Sequence, residues 1–252
     1  MTVNWKKTLL VTADTLLAIY LLFAVSAFNK PDTEEVCSQV NIDISDGTST
    51  GFLDAEEIKK ILQRKHLYPL GQKMTSVSTR AIEDALRQSP FVDDAQCFKT
   101  SGGHIRVQLT QRTPIIRVKA LNGEDYYVDN HGGIMPNTKY ATDIIIATGN
   151  INHRYAQKVL TRIGNFISSD KFWQEQIVQI NVLADGSIEI VPRVGDHIVY
   201  LGEPVYIQRK LARLEKFYKY GLNQAGWNKY SYINMEFDNQ IICKKKPNNT
   251  EE

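Results

Sequence analysis

The chain has 252 residues, of which 42% are hydrophobic and 23% are charged, a balance typical of a folded globular protein and not of a disordered one. Thirty basic residues against 28 acidic ones leave a formal net charge of +2, without the concentrated basic stripe that a nucleic-acid-binding surface needs. The length is that of one large domain or two small ones.

One apolar run near the N-terminus covers residues 8–28. Its length matches the roughly 20 residues that a helix needs to cross a bilayer. Trp5, Lys6 and Lys7 precede it, and positive residues favour the cytoplasmic side of a membrane. We therefore predict that residues 1–7 are a cytoplasmic tail, that residues 8–28 are a transmembrane anchor, and that the remaining chain lies outside the cytoplasm.

Two features of this run leave alternatives open. Asp14 lies inside the span, where its carboxyl group is hydrated near the inner face, protonated or facing a partner helix, or else has a dedicated functional role. Val25-Ser26-Ala27 resembles the small-residue cleavage site of a secretory signal. Because the apolar run is long for a signal peptide, we interpret it as an uncleaved anchor, although a cleaved signal would export the same domains.

The next part of the chain has the pattern of a small α+β module. Residues 29–35 read as a linker, and residues 36–112 predict the order strand, helix, helix, strand, strand. Asp54 with Glu57 three positions later has the form of a helix capping box, and the second helix is predicted to start near Ser78. This order builds a small sheet covered on one face by two helices.

From residue 113 to residue 246 the pattern predicts a mostly antiparallel β domain with two helices, and residues 247–252 are predicted to be a disordered tail. The turn with His131 reads as a tight turn that needs glycine, and not as a metal or catalytic site. The strands are predicted over residues 115–121, 125–128, 143–148, 177–183, 187–191, 197–201, 232–237 and 240–243, and the helices over 152–167 and 203–220.

The sequence carries no recognisable catalytic chemistry. It has no GxSxG elbow, no P-loop, no GxGxxG turn and no HExxH helix, so we predict no catalytic residue, no metal site and no cofactor. The three cysteines are Cys37, Cys97 and Cys243. An odd count leaves at least one thiol free. A Cys37–Cys97 bridge and three buried thiols are both compatible with the sequence.

The last two predicted strands are joined at Asp238-Asn239 and end the folded chain. A strand added last often lies at a sheet edge, where it can accept a partner's strand. The alternative is an edge that the lysines of residues 244–246 protect. The preceding helix has a basic face that is either solvated or meets anionic lipid or an acidic partner. That face comprises Arg209, Lys210, Arg213, Lys216 and Lys219.

The order of these parts resembles the bacterial cell-division family FtsQ/DivIB over nearly the whole chain. The residues that carry the resemblance are Ser89-Pro90-Phe91-Val92-Asp93-Asp94-Ala95, Gln111-Arg112-Thr113-Pro114-Ile115, Tyr127-Val128-Asp129 with Gly132 or Gly133, Val194-Gly195, Leu201-Gly202, Lys210-Leu211 and Tyr232-Ile233-Asn234-Met235-Glu236-Phe237. Phe91 stands where the family often has Trp, and Gln111 departs from the family's usual acidic residue.

The resemblance implies that residues 36–112 are a POTRA domain and that residues 113–246 are the family's β domain. It implies a non-enzymatic, bitopic scaffold of the divisome that links early and late division proteins in the inner membrane, enriched at the septum. The implied partners are membrane proteins of the FtsB and FtsL type, with no nucleic acid and no small-molecule substrate.

The resemblance also implies two binding surfaces. The first is a strand-addition edge at the C-terminus, formed by Phe237, Asn239, Gln240, Ile241 and Ile242, with Arg213 and Lys216 facing acidic partner residues. The second is a recruitment surface on the POTRA domain, formed by Arg80, Glu83, Arg87, Phe91 and Val92.

Two other classes of function remain open at this point. POTRA-like modules also receive extended polypeptides in chaperone and transport systems, but only one such module is present here and no barrel-length array of strands follows it. An exported cell-wall enzyme would need two carboxylates brought together by the fold.

Overall fold

The computed structural model describes residues 5–28, 35–45, 53–138 and 144–247. The ends of the chain and most of the predicted linker lie outside these ranges. Helix α1 (Trp5–Phe28) contains the stretch Leu9–Ser26, which is long and apolar enough to cross a membrane. It is the one such helix among the described residues, and no part of that stretch is buried against the protein.

Two hydroxyls inside α1 are satisfied by the helix itself. Thr12 Oγ1 donates to the carbonyl of Leu9, and Thr15 Oγ1 donates to the carbonyl of Thr12, each at 2.9 Å. Because these donors return to the backbone of their own helix, the threonines present little unsatisfied polarity to an apolar surrounding.

The first module has the predicted order of elements. Its strands form one sheet in the order β1-β3-β2, with β1 parallel and β2 antiparallel to β3. The predicted capping box is confirmed, since Asp54 Oδ1 accepts from the amide of Glu57 at 2.7 Å. The elements are β1 (Gln39–Ile44), α2 (Ala55–Arg64), α3 (Thr79–Arg87), β2 (Val92–Thr100) and β3 (His104–Gln111).

Both helices of this module bury an apolar stripe against the sheet. Ile58 and Leu62 of α2 and Ile82 and Leu86 of α3 are buried in the same cluster as Val107 of β3. Burial of one such side chain stabilises a fold by about 1.5–3 kcal/mol, so this stripe accounts for the docking of both helices.

The second domain is built on a single sheet of nine strands in the order β12-β11-β10-β9-β8-β7-β4-β5-β6. Five neighbouring pairs are antiparallel and three are parallel, which confirms a mostly antiparallel domain. The strands are β4 (Pro114–Ala120), β5 (Asp125–Asp129), β6 (Ile134–Pro136), β7 (Ile145–Gly149), β8 (Ile177–Val182), β9 (Ile188–Pro192), β10 (Ile198–Gly202), β11 (Tyr230–Asn234) and β12 (Ile242–Lys245).

Two helical stretches pack into the same apolar core as this sheet. Leu160 and Ile163 come from the first stretch, and Leu211 and Leu214 come from the second. In chain order the helical segments are α4 (His153–Tyr155), a π-helical turn (Ala156–Leu160), α5 (Thr161–Ser169), α6 (Lys171–Gln176), α7 (Ile207–Lys216), a second π-helical turn (Phe217–Leu222) and α8 (Asn223–Ala225).

Three short features differ from the sequence prediction. Strand β6 has three residues, too few for an alternating pattern to be visible. Helix α6 has six residues, and it begins where Asp170 Oδ1 accepts from the amides of Phe172 and Trp173. Helix α7 starts at Ile207 and not at residue 203, because Tyr206 adopts a left-handed backbone with φ of 53°.

The last two strands are also shifted from their predicted positions. β11 ends at Asn234, whose Oδ1 accepts from the amide of Glu236 at 2.8 Å and turns the chain out of the strand. β12 begins at Ile242, so residues 235–241 form a loop in place of the predicted two-residue turn.

The two domains are joined through Arg112. Its Nε donates to the carbonyl of Val92 in the first module at 3.2 Å, and its Nη1 lies 3.3 Å from Oδ2 of Asp129 on β5. Phe91 also packs in both domains, because it contacts the first core and a small cluster with Tyr127 and Met135. Arg112 and Phe91 therefore contact both domains at the joint.

All three cysteines are free thiols in the structure. Cys37 and Cys97 are buried in the core of the first module, and burial raises the pKa of Cys97 to about 11. A thiol with a raised pKa is a poor nucleophile at neutral pH, so Cys97 acts as a packing residue.

Candidate functional site

Strand β12 lies at one end of the nine-stranded sheet. It pairs antiparallel with β11, and no strand of the described chain pairs with its other side. Ile242, which opens the strand, is 48% exposed, and Lys244 and Lys245 are exposed as well. β12 is therefore an uncovered edge with one large apolar side chain and two cations.

The direction of the free hydrogen-bonding groups follows from the pairing of β11. The amide of Met235 donates to the carbonyl of Tyr200 on β10, so Asn234, one residue earlier, turns its backbone groups toward β12. Asn234 pairs with Ile242. By alternation along β12, Cys243 and Lys245 direct their N–H and C=O groups away from the sheet.

Helix α7 holds the loop that precedes β12. Arg213 Nη2 donates to the carbonyl of Gln240 at 3.0 Å, and its Nη1 lies 4.0 Å from Asp238 Oδ1. Arg209 Nη1 lies 3.5 Å from the other oxygen of the same carboxylate. The loop is thus attached to α7 by two arginines, which places it beside the open edge.

A groove of about 550 Å³ lies between this loop and the end of α7. Phe217 and Ile241 contribute apolar surface, and Tyr220 at its rim is 62% exposed. Lys216 also lines it. The groove therefore offers apolar surface, an exposed aromatic side chain and an exposed cation next to the open edge.

The residues that the sequence predicted for this edge fall into three places. Four of the five predicted edge residues lie in the loop 235–241, namely Phe237, Asn239, Gln240 and Ile241. The fifth, Ile242, is the first residue of β12. Arg213 and Lys216 both lie on α7. The guanidinium of Arg213 is hydrogen-bonded to the carbonyl of Gln240, while the side chain of Lys216 is exposed.

The position of Lys210 differs from the sequence prediction, which placed it on the exposed basic face of the helix. It is 5% exposed, and its Nζ donates to the carbonyls of Leu201 and Glu203 at 2.7 and 2.9 Å. Burial lowers the pKa of this amine. The spacing of residues along the helix does indicate this burial, because Lys210 falls on the apolar stripe that contains Ile207 and Leu211.

One of the two edges of the first module, strand β2, is closed by side chains, in contrast to β12. On β2, the amide of Cys97 donates to Glu83 Oε1 at 2.8 Å, and the carbonyl of Ala95 accepts from Arg87 Nη2 at 2.6 Å. Glu83 and Arg87 belong to α3, so side chains of this helix occupy the positions that an added strand would use. This arrangement does not favour a module that receives extended polypeptides at β2.

The predicted recruitment surface is therefore divided by the fold. Glu83 and Arg87 are engaged with β2, and Val92 is buried in the core of the module. Arg80 is exposed and lies 4.0 Å from Asp84, while Phe91 lies at the junction of the two domains.

The described residues hold no constellation that suggests catalysis. Among residues 5–28, 35–45, 53–138 and 144–247, no group of three His, Cys, Asp or Glu side chains could hold a metal ion. The groove beside β12 is lined by one carboxylate, Asp238, which is paired with two arginines. A glycosidase would need a second carboxylate facing it.

Comparison with known families decides the classification. A family model described as FtsQ/DivIB, C-terminal related, matches residues 113–244, and a model of a POTRA-like domain matches residues 35–110. The chain belongs to the FtsQ/DivIB family. FtsQ/DivIB proteins are non-enzymatic cell-division proteins that act through protein–protein interactions. The membrane-length helix α1 and this family fit a single-pass membrane protein. No curated protein matches the chain significantly.

The structure explains why two of the motifs in this FtsQ/DivIB chain occur together. Arg112 belongs to the motif that leaves the POTRA domain, and Asp129 belongs to the turn that ends β5. The two side chains form one ion pair, and Asp129 Oδ1 also accepts from the amides of His131 and Gly133. Gly132 in this turn has a φ of +84°, which confirms the prediction of a glycine-dependent turn.

A buried histidine directly before β10 is expected to make the free energy of unfolding depend on pH. His197 is 5% exposed, its Nε2 lies 2.9 Å from Tyr218 Oη, and its Nδ1 is buried without a hydrogen-bond partner. Burial, assisted by the charge of Lys246 and opposed by Asp196, lowers the pKa of His197. The folded protein therefore resists a proton that the unfolded chain accepts below about pH 6.5.

The free energy of unfolding is expected to fall between pH 7.5 and pH 5.5 because of this histidine, by at most about 1.4 kcal/mol, the limit for a side chain that stays neutral in the folded protein. Urea denaturation at the two pH values measures the fall. The variant His197→Gln removes the titrating group and is expected to flatten the pH dependence in this range. An equal pH dependence in the wild type and in the variant would show that His197 is not its cause.

Proposed function

We propose that this chain is a non-enzymatic, single-pass scaffold of the division machinery that links early and late division proteins and binds partners by strand addition at β12. The observation that carries the proposal is the uncovered β12 edge in a chain of the FtsQ/DivIB family. An extended partner segment would pair with the outward backbone groups of Cys243 and Lys245.

The proposed partners are membrane proteins of the FtsB and FtsL type. An antiparallel or parallel strand on β12 would lie beside the groove that Phe217, Tyr220 and Ile241 line. The exposed Lys216, Lys244 and Lys245 would favour acidic residues flanking that strand. We place the N-terminus in the cytoplasm and both folded domains outside it, with enrichment at the septum.

The anchor contributes to this function through geometry. Proteins that are held in one membrane meet at a raised effective concentration, so a modest affinity at β12 is sufficient for assembly. A scaffold that gathers anchored partners therefore benefits from remaining attached to α1.

Depletion of the protein from growing cells is expected to give long, undivided filaments whose rate of elongation is unchanged. The reason is that a division scaffold is needed for septum assembly and not for growth of the side wall. Phase-contrast and membrane-stain microscopy during depletion measures cell length and the number of septa. Cells that divide normally but lose outer-membrane proteins would refute the scaffold and indicate the transport class.

A further inference from the structure

The POTRA domain carries a second surface that the proposed strand addition does not use. An open groove of about 680 Å³ runs between α2 and α3 and ends at Pro90 and Phe91. Ile61 and Phe91 are half-buried along it, and Leu53 and Ala85 lie at its base. This surface, the α2–α3 groove, is apolar at its base although it faces solvent.

The rim of the α2–α3 groove is basic. Lys60, Arg64 and Lys65 line it, and none of the three has a carboxylate partner within 4 Å among the described residues. Lys65 Nζ donates instead to Gln88, and Arg64 Nε donates to the carbonyl of Lys60.

Four other cations of the module are paired with carboxylates. Lys59, Arg80, Arg87 and Arg106, which do not line the groove, each have a carboxylate within 4.0 Å. Among the described residues, Glu57 is the one carboxylate that lines the groove, and its Oε2 accepts from the amide of Asp54 at 3.4 Å as part of the capping box. Lys73 and Lys99 also lack a carboxylate within 4 Å, so three of the five unpaired cations among the described residues of the module line the groove.

The backbone around the groove determines the form of a ligand. α2 and α3 satisfy their own peptide groups, so an extended segment lying here would find no ladder of donors and acceptors. A segment that satisfies its own backbone, as a helix does, can bury an apolar face between two helices without that cost.

From these observations we propose that the α2–α3 groove binds an acidic amphipathic helix of a partner protein. Apolar side chains of that helix at spacings of three and four residues contact Ile61 and Phe91, and its flanking carboxylates pair with Lys60, Arg64 and Lys65. The site is separate from β12, so it gives this chain a second partner surface on its membrane-proximal domain.

Site-specific photocrosslinking in living cells tests the proposal. Gln63, which lines the groove and is exposed, is replaced by benzoylphenylalanine in the full-length chain, and the crosslinked peptide is sequenced by mass spectrometry. The expected adduct is a segment of another protein with apolar residues at helical spacing and a net negative charge. The charge-reversal variant Lys60→Glu/Arg64→Glu is expected to reduce the adduct about tenfold.

The matched control is Lys59→Glu/Arg80→Glu, which makes the same change of charge in the same two-helix module but outside the groove. It is expected to leave the yield within twofold of the unchanged chain, and thermal unfolding verifies that both variants fold. The proposal is overturned by the absence of an adduct, by an adduct on lipid or on a second copy of this chain, by a partner segment that is not acidic, or by equal losses in both variants.

Discussion

Cys243→Pro is expected to abolish co-purification of the full-length protein with the proposed FtsB- and FtsL-type partners while leaving the protein folded. The outward N–H of Cys243 lies at the middle of the open edge, and proline removes this donor and places its ring in the path of an added strand. The expected loss is about 2–3 kcal/mol of binding free energy, a weakening of roughly 30- to 160-fold.

The matched control is Cys243→Ala, which removes the same half-buried thiol and keeps the backbone donor. It is expected to bind partners with nearly unchanged affinity. Because proline is tolerated at an edge where the N–H faces solvent, Cys243→Pro is expected to unfold at nearly the same urea concentration as Cys243→Ala. Binding by Cys243→Pro that equals binding by Cys243→Ala would refute strand addition at β12, whatever else the protein binds.

Asp129→Ala is expected to lower the free energy of unfolding of the β domain by about 3 kcal/mol. The side chain is 2% exposed, and its two oxygens serve the amides of His131 and Gly133 and the guanidinium of Arg112. Alanine leaves these donors without an acceptor in a site that has little access to water. Urea denaturation followed by tryptophan fluorescence measures the change.

Asp125→Ala provides the comparison on the same strand. Asp125 also pairs with an arginine, since its Oδ2 lies 2.7 Å from Nη2 of Arg117, but this pair is partly exposed. Its loss is expected to cost less than about 1 kcal/mol. Equal effects of the two substitutions would show that burial of Asp129 and its role at the domain joint contribute little.

Much of the fold could be predicted from local pattern. The membrane-length helix α1 follows from the length of one apolar run. The starts of α2 and α3 follow from Asp54 and Ser78, because a cap is a contact between residues three positions apart. The order of strands and helices in the first module is visible for the same reason. Each of these features depends on neighbours in the chain and not on distant packing.

The candidate site could be predicted only in part. The sequence indicated a terminal strand near the C-terminus, but it placed the paired edge at residues 237–242, while the strand itself is Ile242–Lys245. The closure of β2 by Glu83 and Arg87 could not be predicted, because both contacts cross from a helix to a strand. The same holds for the pairing of Arg112 with Asp129 across the domain joint.

The sequence by itself determined a membrane-length apolar helix, a helix-rich module followed by a strand-rich one, and the lack of a recognisable catalytic motif, since length, periodicity and caps are properties of neighbouring residues. Only the tertiary structure decided which backbone groups of β12 face outward. That direction depends on the bond from Met235 to Tyr200 and on the pairing of Asn234 with Ile242. In a strand the direction of the backbone N–H and C=O groups alternates with each residue. A shift of one position in the pairing would therefore turn the groups of β12 that now face outward toward β11.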